Sequence, residues 1–186
     1  MKRQATICFE LGRYFLKEKS YEQAINALTK AIKLDPDKAL AYDCRGVAYG
    51  NMYQYDDAIA DFDRAIEIDD AYAGAYNNRG VSYYKKNMLD EAMADYNMAI
   101  KLSPDIGVFY GNRGLVHYHR GEYAQAISDY GIAIELGDSN SETYNNRGEA
   151  YAQLDEYDKA IADFDQALTL NPNDITAYAN RVGLKQ

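Results

Sequence analysis

Two histidines, two cysteines and several pairs of acids are the side chains of this 186-residue chain best suited to chemistry. His117 and His119 stand two residues apart. On a helix such a pair points about 200° apart, a poor geometry for one metal ion. Asp56 with Asp57, Asp69 with Asp70, and Asp61 with Asp63 have the types needed for metal ligation or acid–base work. Each recurs at a fixed spacing along the chain or falls at the end of a helical segment, where solvation or capping accounts for it. Cys8 and Cys44 are far apart and outside any metal-binding spacing, so reduced thiols of a cytosolic protein are the expectation. The 13 glycines form no phosphate-cradling loop. The expectation is therefore no enzyme, no cofactor and no metal.

Composition narrows the classes further. Twenty Lys and Arg against 29 Asp and Glu give a formal charge of −9. A partner built on a phosphate backbone, such as a nucleic acid, needs a basic surface and is not expected. No apolar run approaches the roughly 18–20 residues that span a bilayer, so no membrane insertion is expected. The first ten residues reach Glu10 before a signal-peptide apolar run can form, which points to the cytoplasm. The 19 Tyr, beside no Trp and only 3 Pro, are the unusual count.

A period explains them. Gly12, Gly46, Gly80, Gly114 and Gly148 are 34 residues apart, with no insertion between them. Four residues before each stand Cys8, Tyr42, Tyr76, Tyr110 and Tyr144; three after stand Phe15, Tyr49, Tyr83, His117 and Tyr151. Later in each unit come Ala24, Ala58, Ala92, Ala126 and Ala160, then Leu28, Phe62, Tyr96, Tyr130 and Phe164, then Ala31, Ala65, Ala99, Ala133 and Ala167. With the further slot of Tyr21, Tyr55, Tyr123 and Tyr157, and with Tyr178 in the tail, the frame absorbs 14 of the 19 Tyr.

This frame resembles the tetratricopeptide repeat. The resemblance covers 5–38, 39–72, 73–106, 107–140 and 141–174, and 175–186 is similar to the first helix of a sixth unit that caps the array. It implies one all-α domain over 1–186, a right-handed superhelical α-solenoid of stacked antiparallel helix pairs. Two departures stand out. The family's usual Trp is Cys or Tyr here, and the Leu beside the Gly survives only as Leu11, becoming Arg45, Arg79, Arg113, Arg147 and Arg181.

The spacings agree with helix pairs. Tyr42, Gly46 and Tyr49 share one helical face, and Ala58, Phe62, Ala65 and Ile66 share another, so close approach is expected where Gly46 meets Ala58. Met52, Tyr53 and Gln54 fit the turn between the two helices. Pro36, Pro104 and Pro172 mark the handover to the next unit, with Asp70 and Asp138 in the same slot elsewhere. Wherever the Arg occurs an acid accompanies it: Arg45 with Asp61, Arg79 with Asp95, Arg113 with Asp129, Arg147 with Asp163. Leu11 and Ala27 lack both. A charge pair within each repeat is the first reading; pairing with the Arg of the next repeat also fits.

Function is left to side chains the scaffold does not use. The resemblance implies that each first helix lines a concave groove with the arc opposite its Tyr and Arg. The candidate groove residues are Asn77, Asn78, Val81, Tyr84, Lys85, Asn112, Leu115, Tyr118, His119, Asn145, Asn146, Glu149 and Asn180. Asn78, Asn112, Asn146 and Asn180 recur at one phase, similar to the asparagine ladder of some peptide-binding arrays of the family. An amide can hold a peptide backbone through both donor and acceptor; the other reading is local satisfaction or repeat ancestry. Tyr84 and Tyr118, with Val81 and Leu115, would wall the groove, while Lys85 and His119 could meet an acid. The family's carboxylate clamp is not reproduced, since Phe9, Arg13 and Cys44 stand where its early residues belong and only Asn78 fits by type. The expected function is a protein-interaction scaffold holding a peptide of a partner protein. A self-assembling homo-oligomer, or the interaction segment of a larger enzyme or receptor, are the alternatives.

Overall fold

The computed structural model describes residues 2–184. Among them are eleven helices and no strand: α1 (Lys2–Lys17), α2 (Tyr21–Leu34), α3 (Ala39–Asn51), α4 (Tyr55–Ile68), α5 (Ala73–Lys85), α6 (Leu89–Leu102), α7 (Gly107–His119), α8 (Tyr123–Glu135), α9 (Ser141–Gln153), α10 (Tyr157–Leu170) and α11 (Ile175–Gly183). Odd and even helices form five antiparallel pairs, and α11 stands as the capping helix. They group into two compact units, residues 1–102 with α1 to α6 and residues 103–186 with α7 to α11. Within the first unit α3 packs on α1 and α2, and α5 on α3 and α4; within the second α9 packs on α7 and α8, and α11 on α9 and α10.

Each pair turns on a residue in the left-handed region: Lys19, Tyr53, Asn87, Gly121 and Asp155, with φ of 56, 62, 59, 74 and 58°. Only Gly121 adopts it without a Cβ penalty. The handover loops carry Pro36, Asp70, Pro104, Asp138 and Pro172. Asn140 and Asp174 cap α9 and α11 by accepting the backbone N–H of Thr143 and Ala177.

The recurring glycine is required by packing, and its nearest partner is the aromatic ring rather than the expected alanine, although at Gly148 the Ala160 carbonyl oxygen would also lie 3.2 Å from an added Cβ. A Cβ at Gly46 would lie 2.7 Å from the Phe62 ring, at Gly80 2.8 Å from Tyr96, and at Gly148 2.7 Å from Phe164. The alanines on either side are fully buried and let the aromatic ring reach the glycine. Val182 stands in the glycine slot of α11, where no second helix follows among the described residues, and it is partly exposed.

Candidate functional site

The arginines that replace the family's Leu tie three helices together. Arg45 donates Nε to Asp61 Oδ2 at 2.8 Å and Nη2 to Oδ1 at 2.7 Å, and Arg79 holds Asp95 in the same fork at 2.8 and 2.6 Å. Arg113 with Asp129 and Arg147 with Asp163 repeat the geometry in the second unit. The pair is therefore within the repeat. The third nitrogen reaches the preceding repeat, Arg45 Nη1 to Thr29 Oγ1 at 2.9 Å and Arg79 Nη1 to Asp63 Oδ1 at 2.6 Å, and Arg181 pairs with Asp165 likewise. The second-helix acid two residues further on serves the next repeat's Arg. Tyr42 and Tyr49 flank Arg45 at 5.8 and 5.9 Å, and Tyr76 and Tyr83 flank Arg79 at 5.5 and 5.9 Å, so the tyrosine excess surrounds cations with ring faces. His117 takes one of these aromatic slots; its Nδ1 lies 2.5 Å from Glu122 and its Nε2 3.7 Å from Asp129.

The asparagines fall into two kinds. Asn77 and Asn145, three residues before the glycine, are buried together with Phe9 and Asp43 of the same slot. That slot packs against neighbouring helices, so the arc available to a ligand is narrower than a single helical wheel indicates. Two members of the ladder bond back to the buried slot of the preceding repeat. Asn78 Nδ2 donates to Asp43 Oδ1 at 2.8 Å, and Asn180 Nδ2 donates to Asn145 Oδ1 at 3.0 Å and Glu149 Oε1 at 2.7 Å. Replacing Asn78 by Ala would remove a donor from a buried carboxylate, so it is no neutral probe of the groove. Asn146 faces a small cavity of about 120 Å³ with Gly111, Asn112 and Leu115.

Asp43 also accepts the Tyr72 hydroxyl at 2.9 Å, and no cation among the described residues forms an ion pair with it. Burial raises its carboxyl above the ordinary 3.8, and the two donors oppose that rise. A folded-state pKa above the unfolded one means that stability falls as pH rises through the raised value. Asp43→Asn, which copies the amide pair of Asn145 and Asn180, is therefore expected to stabilise the protein at pH 7. The gain should fade towards pH 4 in urea unfolding compared with wild type. A gain independent of pH would contradict this assignment.

A cavity of the first unit lies between α3 and α5, with a volume of about 360 Å³. Gly46 and Phe62 form its base, Val47 and Val81 its walls, and Asn78 and Lys85 join it from α5. Tyr53 and Tyr55 close one side, their rings edge to face at 6.4 Å. A Cβ at Gly50 would meet nothing within 4 Å, so this glycine leaves space that packing does not require. Lys85 is exposed at the rim, its Nζ 5.7 Å from the Tyr84 ring. Tyr53 and Tyr55 escape a helix-by-helix reading of the sequence. The signal for Tyr53 is an aromatic in a turn slot that elsewhere holds Lys19, Asn87, Gly121 and Asp155.

The second unit places Glu149, Gln153 and Asn180 at corresponding slots around a cavity of about 270 Å³ that also includes Tyr118. The Tyr118 ring lies 5.5 Å from Tyr123 and 5.9 Å from His119, whose side chain is exposed. Its lining is more polar than that of the first unit's cavity, although Phe164 and Leu184 contribute to it.

Neither cavity holds a reactive constellation. Among the described residues no group of three or more His, Cys, Asp or Glu is placed to hold a metal ion, and no helix is long and apolar enough to cross a membrane. Burial, with Asp43 adding to it, pushes the Cys44 thiol up to about 11, so it is no thiolate at neutral pH.

Residues 12–52, 54–87 and 114–155 match a family model described as TPR repeat; 73–106 and 141–174 match one described as Tetratricopeptide repeat, and 39–68 another of that description. No curated protein matches the chain. Among solved structures, MamA protein is similar at 26% identity over 92% of this chain and 94% of that one, with a TM-score of 0.76. YrrB, described as a TPR protein with an unusual peptide-binding site, is 20% identical over 94% and 90%, with a TM-score of 0.74. The first TPR of Spaghetti (RPAP3) bound to HSP90 peptide SRMEEVD is 28% identical over 61% of this chain and 90% of that one, with a TM-score of 0.60.

Proposed function

This chain belongs to the tetratricopeptide repeat family, and from that premise we propose that it is a non-catalytic scaffold holding an extended peptide of a partner protein in its groove. The observation that carries the reading is the cavity between α3 and α5, which Gly50 leaves open and which Val47, Val81 and Tyr53 make apolar. It is large enough for one apolar side chain. Lys85 at its rim favours a peptide with an acid next to that apolar anchor. The bound peptide of the Spaghetti structure, SRMEEVD, has that general character: acids beside an apolar residue. Capture of a flexible segment carries an ordering cost, so affinities in the micromolar range are expected. The two free thiols are consistent with work in the cytoplasm.

The reading is tested by selecting binders from a displayed random-peptide library with the 186-residue chain, and repeating the selection with Lys85→Glu. Wild type should enrich an apolar residue beside Asp or Glu, and Lys85→Glu should lose that preference for acids. An identical consensus from both would remove Lys85 from the site.

A further inference from the structure

The stripe of α1 that faces away from its own pair is apolar and exposed. Ile7, Leu11 and Tyr14 are 59, 46 and 57% exposed. One and two repeats on, the slot of Ile7 holds Ala41 and Ala75, and the slot of Tyr14 holds Ala48 and Ser82; all four are buried. The slot of Leu11 holds Arg45 and Arg79, which reach back to Thr29 and Asp63 of the preceding repeat. In α7 the same two slots hold Phe109 and Val116, which are buried as well. Leu11 cannot make the polar reach-back of Arg45 and Arg79. The stripe suits an ordinary helix–helix contact, at an interaxial distance of about 8–10 Å.

Charge selects the partner. Arg3 and Glu18, both exposed, extend the stripe at its two ends. Glu18 still donates its backbone N–H to Tyr14, so the helical register continues to it. Arg3, Ile7, Leu11, Tyr14 and Glu18 fall within about 80° of arc at 100° per residue. A parallel copy would set Arg against Arg and Glu against Glu. An antiparallel copy related by a twofold axis beside Leu11 sets Arg3 opposite the partner's Glu18, Ile7 opposite the partner's Tyr14, and the two Leu11 side by side. We propose that α1 is the interface of an isologous homodimer, in which two copies of this chain pack their first helices antiparallel through Ile7, Leu11 and Tyr14 and lock the register with Arg3 and Glu18.

Sedimentation equilibrium of the untagged chain at low salt tests this. The expected result is a monomer–dimer equilibrium with no larger species. Tyr14→Asp should weaken it more than tenfold, with an unchanged helical circular-dichroism spectrum, because the residue is exposed in the monomer. Arg3→Glu and Glu18→Arg should each weaken dimerisation about tenfold, since each places two like-charged pairs in the interface. The double variant Arg3→Glu with Glu18→Arg should recover wild-type dimerisation. A monomer at every concentration, a ladder of higher oligomers, a dimer indifferent to Tyr14→Asp, or no recovery in the double variant would each overturn the proposal. None of these residues lines the α3–α5 cavity, so peptide binding by the same variants is read separately.

Discussion

Arg79→Leu is expected to destabilise the protein by about 3 kcal/mol, measured as a shift in urea unfolding. The substitution leaves Asp95, whose side chain is 6% exposed, buried with no cation. Burial costs a lone carboxylate more than its hydrogen bonds return. Asp95→Ala should cost less, because Arg79 keeps Asp63 on its other nitrogen. Arg79→Leu with Asp95→Ala recreates the Leu11 and Ala27 combination of the first repeat and should recover most of the loss. A double-mutant cycle in which the two changes simply add would contradict the pairing.

Gly80→Leu is expected to be at least as damaging, lowering stability by roughly 3 kcal/mol or more. The new Cβ alone would sit 2.8 Å from a ring carbon of Tyr96, itself 1% exposed, so neither group can move without opening the α5–α6 pair. Combining Gly80→Leu with Tyr96→Ala should return part of the stability by making room. A thermal melt in which Gly80→Leu matched wild type would refute close packing at this position.

Periodicity made most of the scaffold readable. The 34-residue interval located the glycines, the turns and the handover loops, because each repeat solves the same packing problem. The joint loss of Arg and Asp in the first repeat pointed to a charge pair, with the next repeat's Arg as the other candidate partner. What periodicity hides is the neighbour across a repeat boundary. A wheel drawn for one helix put Asn77 and Asn145 on the open arc, whereas the adjacent first helix covers that edge. It also left Asn78 open between a ligand and its neighbours, and the donor it supplies goes to Asp43 thirty-five residues back. The second acid held by Arg79, Asp63 of the preceding repeat, was missed for the same reason.

The five tyrosines outside the recurring slots are more informative about the surface than the fourteen inside them. Tyr72 reaches Asp43, Tyr53 borders the α3–α5 cavity, Tyr14 stands exposed on α1, Tyr118 lines the cavity of the second unit and Tyr84 has the Lys85 ammonium 5.7 Å from its ring. Departures from a repeat mark what the repeat itself does not need.

The claim at the centre is that the cavity beside Gly50 receives a peptide side chain, and Gly50→Leu tests it most directly. The new Cβ meets no atom within 4 Å, the rest of the side chain grows into the open space, and leucine is a better helix former than glycine. Isothermal titration of a library-selected peptide should therefore show binding weakened at least tenfold by Gly50→Leu, while the melting temperature stays level or rises. Undiminished binding by the folded variant would place the peptide elsewhere and contradict the account.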